Sequence, residues 1–330
     1  MHEQWTPQQA WNWYNQQPWM IGSNFTPSTA INQLEMWQAE TFDPMTIERE
    51  LGWAQSLGLN TVRTYLHDLL WEQDAPGFIS RIDQFLKIAS TKGIKPILVI
   101  FDDCWNREFS LGPQPAPRPG VHNSGWVQSP GYNVVLDPSQ WGRLQRYVQG
   151  LLGVFSRDPR IRMWDLYNEP GNNNLKEQSL PLAKAVFNWA REVRPEQPLT
   201  MGVWFENEPL NAFQVSASDV ITFHDYNPVD HLKTTIERLR PFGRPLVCTE
   251  YMARVRGSRF ETHLPVFKAE NVGAINWGLV AGKTQTYLPW ASEPVPSDEW
   301  FHEIFHTDGT PYKESEVAAI RAAIAAPLGK

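Results

Sequence analysis

Eight short apolar runs recur along the 330 residues, at 19–24, 60–66, 95–101, 162–170, 198–204, 220–226, 245–251 and 273–279, separated by stretches with helical patterning. Such alternation is the signature of repeated βα units, in which each helix carries the chain back so that the next strand runs parallel to the last. The run Lys95-Pro96-Ile97-Leu98-Val99-Ile100-Phe101 is apolar at nearly every position, as a strand covered on both faces must be. The intervening stretches carry helix punctuation. Asp43-Pro44 sets a capping residue before a proline at the first helical position, and Gly58 closes that helix. Further helices are expected near 78–92, 139–156, 177–193 and 314–326. Eight strands with helical crossovers and no linker-like break predict a single (β/α)8 barrel, one domain spanning 1–330.

Composition narrows the partners. Lys and Arg number 29 against 36 Asp and Glu, a net charge of −7, with no basic block to meet nucleic acid or an anionic membrane. No run approaches the ~18 apolar residues of a membrane helix, so the sequence predicts a soluble protein, secreted or periplasmic if a signal peptide was removed and otherwise cytoplasmic. Cys104 and Cys248 make no disulfide framework, and Cys248 reads as a buried thiol. Tryptophan is abundant at 16, and its flat apolar face suits the face of a sugar ring. Trp5, Trp11 and Trp13, at near-helical spacing, are assigned instead to packing at the barrel base. Oligomeric state leaves no mark in the sequence.

In a barrel of this kind the reacting groups sit at the C-terminal strand ends. The polar and aromatic residues there are Arg63, Asp102, Asp103, Asn168, Glu169, Trp204, His224, Tyr226, Glu250 and Trp277. Glu169 and Glu250 end the fourth and seventh strands, on opposite sides of the mouth. Paired carboxylates are what cleavage of a glycosidic bond requires: one protonated to assist the leaving oxygen, one ionised to meet the positive anomeric carbon. Arg63 and the Tyr226 hydroxyl are expected to keep Glu250 ionised, while an apolar rim biases Glu169 towards its protonated form. Strand parity puts His224 with Tyr226, and Cys248 beneath Glu250. Asn168 is placed to bond a sugar hydroxyl and Trp277 to stack, while Asp165 reads as a buried structural carboxylate. The long irregular stretch near 102–137, with Trp126, is expected to wall the cleft, and 28–38, with Glu35 and Trp37, to shape its outer binding positions.

Trp164-Asp165-Leu166-Tyr167-Asn168-Glu169-Pro170 resembles the acid/base signature of clan A glycoside hydrolases, and the resemblance is closest to glycoside hydrolase family 5. Arg63, Asn168-Glu169, His224-Asp225-Tyr226, Glu250 and Trp277 match that family's positions in order. The resemblance implies a retaining mechanism on a β-linked oligo- or polysaccharide, with Glu169 as acid/base, Glu250 as nucleophile and no cofactor or metal. One departure stands out: Asp102-Asp103 occupies the place where many members carry a histidine.

Two other readings compete. A non-catalytic carbohydrate-binding barrel would share the aromatic mouth. His302-Glu303-Ile304-Phe305-His306 fits the H-E-x-x-H pattern of zinc hydrolases, which needs both histidines on one helix face. Asp308-Gly309-Thr310-Pro311 would end such a helix within a turn.

Overall fold

The computed structural model describes residues 4–291 and 298–329. Eight strands, β1 (Ile21–Asn24), β2 (Thr61–Tyr65), β3 (Ile97–Val99), β4 (Met163–Asp165), β5 (Leu199–Thr200), β6 (Ile221–His224), β7 (Leu246–Glu250) and β8 (Gly273–Asn276), form one sheet. Every ladder is parallel, in the order β5-β4-β3-β2-β1-β8-β7-β6. Between β5 and β6 the pairing shrinks to one parallel bridge, Val203 to Phe223, which brings the two edges together. The fold is a (β/α)8 barrel. β4, β5 and β6 are shorter than their apolar runs because the last residues, 166–170, 201–204 and 225–226, leave the strand to form the mouth.

Alternation divides the strand residues between two environments. Met20, Ile97, Met163, Val220, Val247 and Ile275 pack together inside the lower barrel, and Trp11, Trp13 and Tyr14 of the helix Pro7–Asn15 cover them. The tryptophans of the N-terminus therefore do what their spacing suggested. The alternate residues, among them Ile21, Val62, Leu98, Trp164 and Ala274, join the larger cluster beneath the outer helices. Above the lower layer the interior turns polar, where Arg63 and Asp165 are fully buried against one another at 2.8 Å.

The helix Pro44–Leu57 has the predicted ends: Asp43 accepts from Thr46 N–H, and Gly58 takes the left-handed conformation at φ +86°. The helix expected from 78 starts earlier, at Asp68, and runs to Thr91. A break at Asp74 splits it: Asp74 caps the second segment by accepting from Gly77 N–H at 3.0 Å, and Pro76 falls in the first turn, where its missing N–H costs nothing. From 100 to 131 the described chain forms no helix or strand, only the bridges Asp102–Ser129, Asn106–Val127 and Asp102–Asn168.

Candidate active site

A cleft of about 790 Å³ opens at the C-terminal end of the barrel, lined by Asp102, Trp126, Asn168, Glu169, Trp204, His224, Tyr226, Glu250 and Trp277 among others. Two backbone irregularities aim its acidic groups. Along β7, Val247 faces the interior and Cys248 packs outside, so plain alternation would turn Glu250 away from the cleft. The pairing steps from Phe223–Cys248 to His224–Glu250, leaving Thr249 as an extra residue that returns Glu250 to the inside. Cys248 is thus on the opposite face from the carboxylate, not beneath it as parity suggested. Glu169 lies beyond the β4 ladder with φ +43°, a left-handed conformation that costs a non-glycine residue about 1–2 kcal/mol and persists where neighbours impose it.

Arg63 organises the floor. Its guanidinium donates to Asp165 Oδ2 (3.0 Å from Nε), Asn24 Oδ1 (2.9 Å), Asn168 Oδ1 (2.6 Å) and Glu250 Oε1 (2.8 Å). It therefore meets both candidate partners, the structural Asp165 and the cleft carboxylate. Tyr65 Oη donates to the same Glu250 oxygen at 3.0 Å and Tyr226 Oη to Oε2 at 2.8 Å. Burial first, then the negative charge of Glu250, pushes the Tyr226 hydroxyl well above its usual range, so it stays a donor. Tyr65 was missed from sequence, although it is two residues from Arg63 and shares its face of β2.

Glu169 has a different set of neighbours. Its Oε1 is 2.8 Å from His224 Nδ1, and its Oε2 accepts from Asn172 Nδ2 at 2.7 Å and the Cys104 thiol at 3.1 Å. Burial is the largest single influence and pushes its carboxyl up. The hydrogen bond and charge of His224, then Cys104 and Asn172, together outweigh it and hold Glu169 below its usual range. This corrects the expected bias towards the protonated form: the rim is polar where it touches the carboxyl. His224 Nδ1 also lies 3.5 Å from Glu250 Oε2, so the imidazole bridges the pair. One oxygen of each carboxylate and a ring nitrogen of His224 lie within 4.8 Å of one another. So close an approach is nearer to the roughly 5–5.5 Å of retaining glycosidases than to the 6.5–9.5 Å of inverting ones.

The remaining expected residues divide. Asp102 lines the cleft but is spent on protein, accepting from Trp126 Nε1 (2.8 Å), Asn168 Nδ2 (2.9 Å) and Cys104 N–H (2.9 Å). Burial pushes it up to about 7. Asp103 does not reach the cleft. It accepts from Tyr167 Oη, Ser179 Oγ and Gly171 N–H, and so anchors the turn that follows Glu169. Trp37 does not reach it either: the indole is fully buried among Phe42, Phe78 and Phe85, with Nε1 donating to Tyr65 O at 2.7 Å. An aromatic in a short helix over the barrel found more apolar area in the core than at the rim. Trp204 is tied by Nε1 to Pro170 O at 3.1 Å, and Trp277 packs beside Tyr65 and Trp126.

The H-E-x-x-H segment is not helical. Glu303 has φ +58°, His302 is buried with Nδ1 on Met252 O, and His306 is exposed. The two histidines therefore cannot share a helix face, and a zinc-hydrolase centre there is ruled out by geometry.

No curated protein matches the chain significantly in sequence. Among solved structures, a GH5_18 protein from Streptomyces cattleya, in complex with GlcNAc, superposes with a TM-score of 0.64 at 14% identity, covering 95% of this chain and 82% of that one. The endo-β-1,4-mannanase of Thermotoga petrophila gives 0.61 at 14%, covering 94% and 77%. The exo-β-1,4-mannosidase of Opitutaceae bacterium strain TAV5 gives 0.63 at 19%, covering 93% and 60%. At these identities the likeness is one of fold. The sequence model described as Cellulase (glycosyl hydrolase family 5) matches residues 23–286, four-fifths of the chain and every residue of the constellation. The chain belongs to glycosyl hydrolase family 5, the retaining O-glycosyl hydrolases of clan A.

Proposed function

We propose that the protein hydrolyses β-linked oligo- or polysaccharides with Glu250 as nucleophile and Glu169 as acid/base. The observation that carries this reading is the unequal surroundings of the two carboxyls. Arg63, Tyr65 and Tyr226 hold Glu250 as an acceptor of three donors, with its oxygens fixed towards one point. Glu169 has one oxygen tied by Asn172 and Cys104 and the other against His224. In the first step a Glu250 oxygen bonds the anomeric carbon as the glycosidic C–O bond breaks, and the Glu169 proton passes to the leaving oxygen. Glu169, now a carboxylate, accepts from His224 Nδ1. In the second step it takes a proton from water, the water oxygen bonds the anomeric carbon, and Glu250 is released. Trp277 stacks on the sugar being attacked, Trp126 flanks it, and Asn168 bonds a hydroxyl beside the reacting carbon. Trp204 lines the leaving-group side.

Glu250→Ala should lower kcat by roughly 10⁴-fold or more while the far-UV circular dichroism stays native. Azide should restore turnover of an aryl β-glycoside and give the α-glycosyl azide, the product of a single displacement. Full activity in the variant, or a β-configured azide, would remove Glu250 from the role. Because two of the fold neighbours are a β-1,4-mannanase and a β-1,4-mannosidase, β-mannosides belong in the first substrate panel beside glucosides, xylosides and galactosides.

A further inference from the structure

The loops that follow β3 and β8 are fastened together across one side of the cleft. Asn123 N–H donates to Thr284 O at 2.8 Å, Gln285 Nε2 to Arg118 O at 2.7 Å, and His122 Nδ1 to Leu288 O at 2.7 Å. The loop after β1 reinforces the seam. Asn32 Nδ2 donates to Gly125 O at 2.8 Å, Lys283 N–H to Ser28 O at 3.0 Å, and Lys283 Nζ lies 2.6 Å from Glu35 Oε1. Glu35 is thus a fastener of the wall and not a cleft residue. Beneath this seam the lining is buried, with Trp126 and His302 only 2% and 1% exposed. At the other end, beside β5 and β6, the lining residues Glu206, Thr234 and Arg238 are exposed. Among the described residues the cleft is walled on the β1–β3–β8 side, beneath a rim where Trp105 and Ala291 are exposed, and open on the β5–β6 side.

The walled end carries a specific polarity. His302 Nδ1 faces Met252 O at 2.5 Å and His122 Nδ1 faces Leu288 O at 2.7 Å. A carbonyl oxygen only accepts, so both Nδ1 atoms bear hydrogen. Burial, as the largest cause, pushes His122 down to about 4 and His302 well below its usual range, so both rings are neutral at pH 7. Each Nε2 therefore keeps a free lone pair, and no protein donor meets either among the described residues. Both rings line the cleft, 5.7 Å apart.

Which end holds which part of the substrate follows from the proposed roles. Glu169 protonates the oxygen of the departing part, which leaves towards Asn172 and Trp204. The sugar attacked by Glu250 sits over Trp277, towards the wall. The Trp277 ring is 6.1 Å from Trp126 and 6.4 Å from His302, so among the described residues the rings of the wall begin directly beside the platform. We propose that the walled end is a one-sugar pocket, so that the protein removes single residues from the non-reducing ends of β-linked chains, with His302 and His122 accepting hydrogen bonds from hydroxyls of the terminal sugar. The proposal rests on the hydrolase reading above and adds its mode of attack.

The test uses the full chain and the sugar whose aryl β-glycoside it turns over best. Oligosaccharides of that sugar, labelled at the reducing end, should shorten by one residue at a time, with the monosaccharide as the first product. A cyclic ketal across two hydroxyls of the terminal sugar should lower kcat/KM by at least about 100-fold, because it removes two of the donors that the pocket would accept from and adds bulk that a one-sugar pocket must exclude. Labelled fragments from internal cleavage at early times, or unchanged turnover of the capped chain, would overturn the pocket while leaving the hydrolase reading intact. Failure to hydrolyse any aryl β-glycoside would overturn that reading and the pocket with it.

Discussion

The contrast between Glu169 and Glu250 lies in single atoms. Glu169 acts as an acid only while protonated, and its neighbours hold it below the usual carboxyl range, with burial opposing them. The sign follows: kcat/KM reports free-enzyme ionisations, so activity should fall on the basic side as pH rises through an unusually low Glu169 value. His224→Gln removes the largest of the lowering influences and leaves only Cys104 and Asn172 to oppose burial. Its basic limb should move to higher pH, while kcat/KM at the optimum falls by roughly 10²–10⁴-fold. A pH–rate profile on a glycoside with a poor leaving group reads both, and an unmoved limb would show that His224 does not govern the acid. Both glutamates, with Arg63, His224 and Tyr226, were legible in sequence because they stand near the ends of apolar runs, whereas Tyr65 was missed. Cys104 and Asn172 were not legible either. They reach Glu169 from loops whose course depends on Asp103 and Gly171, and no local pattern records that path.

Elements whose ends are written locally behaved as their sequences required. Asp43, Pro44 and Gly58 fix the helix Pro44–Leu57 by a side-chain cap, a preset φ and a left-handed exit, all within the segment itself. Asp43→Ala should therefore cost about 1 kcal/mol, read as a lower urea midpoint with unchanged m-value and unchanged KM. The strand ends that build the cleft behaved otherwise. Period-two alternation turns Glu250 outward, and only the extra residue at Thr249 turns it in. Glu169 needs a left-handed backbone that no glycine advertises. The short helix bearing Trp37 shows the same limit from the other side: an indole that suits a sugar face suits a core equally well, and position over the barrel decided for the core.

Across the whole molecule, two opposed sets of buried ionisable groups shape stability against pH. Burial pushes Glu50, Asp102 and Asp103 up to about 7 and Glu303 up to about 8. Folded, they hold protons that the unfolded chain gives up near pH 4, so their contribution is complete below that point and is lost as pH rises through 7–8. Burial also lowers His67, His122, His263 and His302. These stay neutral when folded, while the unfolded chain binds protons below about 6.5, so their contribution is lost as pH falls. Between about pH 5 and 6.5 the sets offset one another. Above about 6.5 only the carboxyls still titrate. The Tm should be nearly level from about pH 5 to 6.5 and fall from there to pH 8, as scanning calorimetry would read; a Tm rising over that upper interval would contradict the assignment.

Alone, the sequence determined the repeated βα pattern, hence the barrel, and which residues stand at its strand ends, because hydrophobic periodicity and helix caps are local properties of the chain. It also marked Asn168-Glu169, His224-x-Tyr226 and Glu250 as a hydrolase constellation by their order along those ends. Only the tertiary structure decided where the carboxyls point, that Asp103 and Trp37 serve the scaffold, and that His302 faces a cleft instead of a metal. It alone decided that three loops wall one side of that cleft. Those outcomes depend on a bulge, a left-handed turn and hydrogen bonds between segments more than a hundred residues apart, and such long-range choices leave no periodic trace in the chain.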